Sequence, residues 1–328
     1  MEESIKKFKR IEWVDIAKAF AIILMVVGHE CPQRSITTFI FSFHMPLFFI
    51  MSGYTAGKVN TWSKFIKKSK KSFVMTWLLA ALMIIILGFE IMFFQKKEIS
   101  DILLLDLKGI FLGSNYGINN LNNVGVMWFL IVFFWAKLLY NFLEVIIPNE
   151  YNGFLLGILS YFAFVVSSKM WLPQAFDIVP IAAWFMWIGA YLKSIQPKLK
   201  FNSPQASLMI AIIFIYWIVM MQNYIYIDMS VRHYPFFIFS FLEAVAGTIS
   251  VSFLSSCFSR ISQFKILKII GKHTLAVLCI HHLDLYWLWW GAYIPKWYFA
   301  VFLRLIVDFM ILGLFLVIRK FIVGRESK

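Results

Sequence analysis

Residues 10–30 read RIEWVDIAKAFAIILMVVGHE, and residues 41–54 read FSFHMPLFFIMSGY. A helix needs about 20 mostly apolar residues to cross the roughly 30 Å hydrocarbon core of a bilayer, and both stretches approach that length with their flanks. The rest of the chain is of the same kind. Of 328 residues, 61% are hydrophobic, 19% aromatic and only 15% charged, which is too apolar for a soluble domain of this size. The expected fold class is an all-α integral membrane protein, a bundle of about ten transmembrane helices. Spans are expected at about 12–30, 36–57, 72–94, 126–147, 151–168, 173–192, 206–227, 235–257, 273–290 and 297–318. No repeat period is visible, so a single domain over 1–328 with no appended soluble domain is expected.

A formal net charge of +14 raises the question of nucleic acid. Lys and Arg stand in short blocks between apolar runs rather than along one soluble face, so the charge reads as topology and no nucleic-acid partner is expected. With both termini placed in the cytoplasm, 21 basic residues fall inside, including Lys6, Lys7, Lys9, Arg10, Lys193, Lys198, Lys200 and Lys328, and 7 outside. Cys31, Cys257 and Cys279 show no CxxC spacing, so neither a disulfide framework nor a zinc motif is indicated. The first apolar run carries Asp15 and Lys18 and has no small-residue cleavage site, so it reads as a helix rather than a signal peptide. The connection at about 95–125 contains ILLLDLKGIFLG, then the Asn-rich SNYGINNLNN, and suits a re-entrant or interface-lying helix.

Charged groups inside a bilayer are expensive enough to mark function. At 100° per residue His29 lies about 20° from Lys18 and about 40° from Asp15, so the three share one helix face, with about 16 Å of rise between Lys18 and His29. Two readings are open: a local Asp15–Lys18 ion pair with His29 at the headgroups, or a stripe joining a cation near the cytoplasm to an imidazole near the outer side. His44, on the next helix beside Pro46, could face the same cavity as His29. The spacing of Gly53 and Gly57 fits close helix packing.

These two segments, RIEWVDIAKAFAIILMVVGHE and SFHMPLFFIMSGY, resemble the opening of the acyltransferase 3 family of integral membrane O-acyltransferases. That family has a basic residue and then a His in helix one, here Lys18 and His29, followed by a His-containing second helix. Further echoes are MWFLIVFF at 127–134, LPQAFDIVPIAAWFMWIGAYL at 172–192 and IIGKHTLAVLCIHH at 269–282, the later ones resembling its fucose 4-O-acetylase-like branch. The resemblance implies transfer of an acetyl or similar acyl group from acetyl-CoA, a co-substrate, to a hydroxyl of a cell-envelope or capsular carbohydrate. It implies a multi-pass protein of a cytoplasmic membrane, of bacterial type, with acyl-CoA, a carbohydrate acceptor and the lipid bilayer as partners and no metal.

On this chain the expected catalytic residues are His29, as general base, with His44 and Asp15. Lys18 and the loop lysines Lys67, Lys68, Lys70 and Lys71 of KFIKKSKK are expected to hold the CoA phosphates, where many members have arginines. The same lysines suit topology and anionic lipid equally well. Acceptor contacts are expected from His281, rather than His282 on another face, and from Arg232 and His233 in an outer loop that also holds Asp228. Arg304 and Asp308 are spaced to pair as i,i+4. Asp177, Glu243 and Lys137 read as helix-to-helix bonding groups. The competing reading is a non-catalytic exporter of sugar or polysaccharide with His and Asp as proton relays.

Overall fold

The computed structural model describes residues 10–114, 122–198, 204–287 and 293–326. Lys6, Lys7, Lys9, Lys200 and Lys328, residues 115–121 and the end of the ninth expected span, 288–290, lie outside the described residues. The helices are α1 Glu12–Glu30, α2 Arg34–Phe41, α3 His44–Thr55, α4 Trp62–Ser72, α5 Leu79–Gln95, α6 Ile99–Leu112 and α7 Trp128–Ile146. There follow α8 Asn149–Ser167, α9 Val179–Ile195, α10 Pro204–Gln222, α11 Phe237–Phe258, α12 Lys265–Lys272, α13 Thr274–Trp287 and α14 Trp297–Glu326. Each expected span has a helix at its place, and the connection at 95–125 holds α6. Among the described residues, however, seven stretches are long and apolar enough to cross a membrane, or eight if α12 and α13, bent by 73°, count as one. The apolar stretch of α8, Tyr151–Ser167, is too short by that measure, and α1 carries Glu12, Asp15, Lys18 and Glu30. α1 lies at the centre of the bundle against α3, α11, α12 and α13, with Ile16, Ala17, Ala19, Ala21 and Val26 fully buried. Its charges therefore meet protein rather than lipid tails, which makes them affordable.

The second expected span is broken. Pro46 has no N–H to return to the Ser42 carbonyl, and its ring crowds that carbonyl, so α2 stops at Phe41 and α3 restarts at His44. The Ser42 hydroxyl donates to the Phe39 carbonyl at 2.8 Å and accepts from the Trp217 indole at 2.9 Å, which pins the break to α10. Buried Glu243 of α11 lies beside the same pair.

KFIKKSKK is helix and not loop, contrary to expectation. Thr61 caps α4 by accepting from the Lys64 N–H at 3.4 Å, and a π-helical turn at Phe73–Leu78 carries the helix on into α5. Lysine is a good helix former, and nothing between Trp62 and Gln95 breaks the run.

Gly53 and Gly189 let α3 and α9 meet backbone to backbone. A Cβ on Gly53 would strike the Met186 carbonyl, and one on Gly189 the Ile50 carbonyl. Gly57 has no such neighbour within 4 Å, so only half of the expected glycine pair packs helices. Gly53→Ala is therefore expected to lower the melting temperature and folded yield of detergent-solubilised protein, whereas Gly313→Ala, in open space, leaves both unchanged.

Candidate active site

Between α1, α3, α7 and α13 lies a cavity of about 290 Å³. Lys18, Ser52, Thr55, Thr76 and Thr274 make one end of it polar, and Met25, Met45, Phe129 and Leu278 close the other. Lys18 Nζ stands 3.1 Å from Asp15, whose other oxygen takes Arg10 Nε at 2.6 Å. The local ion pair is real, yet it does not remove Lys18 from the cavity wall. Asp15, 3% exposed, lines no cavity near His29 and acts through Lys18 and Arg10.

Met25, Met45, Phe129 and Leu278 also bound a second cavity of about 70 Å³, which His29, Phe41, His44, Trp128, Asp228 and Ser230 complete. The two cavities are thus separated only by a collar of flexible and flat side chains. His29 and His44 face one space, as their consecutive helices suggested. His44 Nδ1 lies 3.0 Å from the Ile40 carbonyl, which can only accept, so Nδ1 carries hydrogen and Nε2 keeps its lone pair. His29 is exposed despite its depth, and its ring lies 5.1 Å from that of His281. Of the two cavity histidines, His29 is the one an incoming group can reach.

Asp228 and Ser230 come from the connection between α10 and α11. Ser230 donates to Asp228 Oδ1 through its N–H at 3.0 Å and its hydroxyl at 2.5 Å. Burial pushes the Asp228 carboxyl above the usual carboxylate range, with the Ser230 bonds opposing that push. Arg232 Nε donates to Asp177 at 2.8 Å, and its guanidinium lies 3.8 Å over Trp171. The side chain is 3% exposed, so it is not open to an acceptor, and the Arg232 backbone turns the loop at positive φ. His233 pairs its backbone with that of Asp228 at 2.9 and 3.0 Å, and its ring lies tilted against Tyr226 with centroids 4.6 Å apart. Both expected acceptor contacts therefore hold the loop that carries Asp228 and Ser230. Asp228 is one of the charged residues that mark this outer loop in the sequence, whereas no local signal singles out Ser230.

A buried polar network adjoins His29. Arg304 does not pair with Asp308, as its spacing suggested. Its Nε donates to Asp284 Oδ2 at 2.8 Å, its Nη2 to Asp284 Oδ1, and its Nη1 to Glu30. A forked bond to a carboxylate on another helix outweighs an i,i+4 contact worth a few tenths of a kcal/mol. His281 Nδ1 is 3.7 Å from Asp284 Oδ1, both side chains being fully buried. His282 turns away, towards the Met83 backbone. His281, Asp284 and Asp308 offer possible metal-ligand atoms within 4.8 Å of one another, but Arg304 already holds both oxygens of Asp284 and supplies a positive charge there.

Lys67, Lys70 and Lys71 are exposed on α4. Half-buried Lys68 donates to the Gly57 carbonyl at 2.5 Å, and Lys68 and Lys71 both act electrostatically on Lys137 of α7. The structure brings His29, His44 and His281 together and sets Lys18 in the wall of the adjoining cavity, which the α4 lysines do not line.

Residues 11–322 match the family model of an acyltransferase domain. No curated protein and no solved structure matches the chain.

Proposed function

From the premise that the chain belongs to this acyltransferase family, as a multi-pass membrane protein, we propose that it moves an acetyl or similar short acyl group from acyl-CoA to a hydroxyl of a cell-envelope carbohydrate. The observation that carries the reading is the pair of adjoining cavities divided by the Met25, Met45, Phe129 and Leu278 collar, one with Lys18 in its wall and the other lined by His29 and His44. In this reading the lysine end faces the cytoplasm, where acyl-CoA is found, and ten helices span, with α1 and α8 sheltered by their neighbours. Both termini then lie in the cytoplasm, and the echoes at 172–192 and 269–282 favour the fucose 4-O-acetylase-like branch.

Lys18, with the α4 lysines, attracts the donor phosphates, and the thioester arm rises through the larger cavity. The collar opens because methionine has three rotatable bonds. His29 takes the proton from the acceptor hydroxyl as its oxygen forms the new C–O bond. The C–S bond breaks, and the proton passes from His29 to the leaving sulfur. Asp228 and Ser230 meet the acceptor from the opposite side. Direct attack requires the acceptor oxygen and thioester carbon about 3–3.5 Å apart at the level of the collar.

Membranes given radiolabelled acetyl-CoA should pass label to carbohydrate. Met25→Trp, which fills the collar, is expected to cut that transfer by about 10²-fold, the scale for misplaced reacting atoms. An exporter would carry sugar across vesicles without CoA-dependent labelling, and that outcome would replace the enzymatic reading.

A further inference from the structure

A separate recess of about 400 Å³ lies on the other side of α3 from the Lys18 cavity, between α3, α7, α8 and α9. Ser52 and Thr55 line the first cavity, whereas Gly53, Ala56 and Gly57 line the second, so the two meet around the C-terminal end of α3. Trp187 and Tyr191 give it a flat wall, their rings stacked at 5.3 Å and 12°. Asn152 lines it, is 1% exposed, and has no partner for its Oδ1. Glu144 is held in place by the Tyr140 hydroxyl at 2.9 Å and the Val59 N–H at 3.1 Å. Lys58 and Lys193 stand at the edge, and Lys68, bonded to the Gly57 carbonyl, at the junction.

A buried carbonyl oxygen without a donor is costly and invites one. The ligand that fits this set has a flat ring to lie on aromatics, a ring-borne amine to donate to Asn152, hydroxyls to donate to Glu144, and phosphates for the lysines. We propose that this recess holds the adenosine end of the acyl donor, an inference that rests on the acyl-CoA reading above. The diphosphate then crosses the end of α3 at Ala56–Gly57 beside Lys68, and the pantetheine arm enters the Lys18 cavity past Thr55. An anionic lipid headgroup shares the phosphate chemistry but brings no ring amine for Asn152.

The test uses the full chain in neutral-lipid nanodiscs, titrated calorimetrically with CoA and with adenosine 3′,5′-bisphosphate. Asn152→Leu, which keeps volume and removes the acceptor, should weaken binding of both about tenfold, the scale of one buried hydrogen bond. Lys58→Gln with Lys193→Gln should weaken both as well. Tyr191→Ala, at a residue 48% exposed, gives the same answer should Asn152→Leu not fold. Unchanged bisphosphate affinity in these variants overturns the subsite while leaving acyl-CoA as donor. Loss in the lysine variant alone, with bisphosphate displaced by anionic lipid, reassigns the recess to a headgroup. Wild-type protein that binds neither probe removes the acyl-CoA reading itself.

Discussion

His29→Gln is expected to slow acyl transfer by about 10²–10⁴-fold, the range for losing a general base, with the amount of folded protein unchanged. Glutamine keeps a polar side chain of similar size but cannot take up a proton near neutral pH. His29 is exposed at the end of α1, so the substitution removes no buried hydrogen bond. The measurement is label passed from acetyl-CoA to carbohydrate, normalised to protein recovered as a single peak by size exclusion. His44→Gln should cost less, because His44 is 6% exposed and its Nδ1 hydrogen is committed to Ile40. Near-normal transfer by His29→Gln would move the base to His281, whose ring is 5.1 Å away and whose Nδ1 faces Asp284.

Arg304→Met should be among the most damaging single changes to stability. Arg304 is 2% exposed and bridges three helices, holding Asp284 of α13 and Glu30 of α1 from α14. Removing one partner of a buried ion pair leaves uncompensated charge and costs about 3–5 kcal/mol. The thermal midpoint in detergent should fall, and transfer should fall with it, because α1 and α13 carry the His29 and His281 rings. Arg304→Met combined with Asp284→Asn should recover part of the loss, since the neutral amide removes one stranded carboxylate. A single Arg304→Met variant as stable as wild type would mean that the network is held by shared protons instead of the guanidinium.

Much of the helical plan could be read along the chain. The apolar runs around 12–30 and 36–57 are local features, and so are the shared face of Lys18 and His29 and the helix-two His44. The charge of KFIKKSKK suggests a loop, but its helix propensity and the Thr61 cap make it helix. Pro46 is a local signal, but the break it makes is pinned by the Trp217 indole donating to Ser42 from another helix. Arg304 was matched to the acid nearest in sequence, whereas its fork reached Asp284 and Glu30. Arg232 braces the loop of Asp228 and Ser230 through Asp177, a partner far along the chain, and His233 braces it by pairing its backbone with that of Asp228.

Length and apolarity of a segment are properties of that segment, and a bilayer leaves a long apolar segment little choice but helix. Class, approximate spans and the stripe from Lys18 to His29 were therefore set before any packing was known. Which polar groups meet was settled by how the helices cross. In a low-dielectric interior a charge takes the partner with the best geometry, from whatever distance along the chain, and no local pattern records that choice. The same packing put His29, His44 and Asp228 around one small cavity and set it against the Lys18 cavity, with four side chains as their common wall.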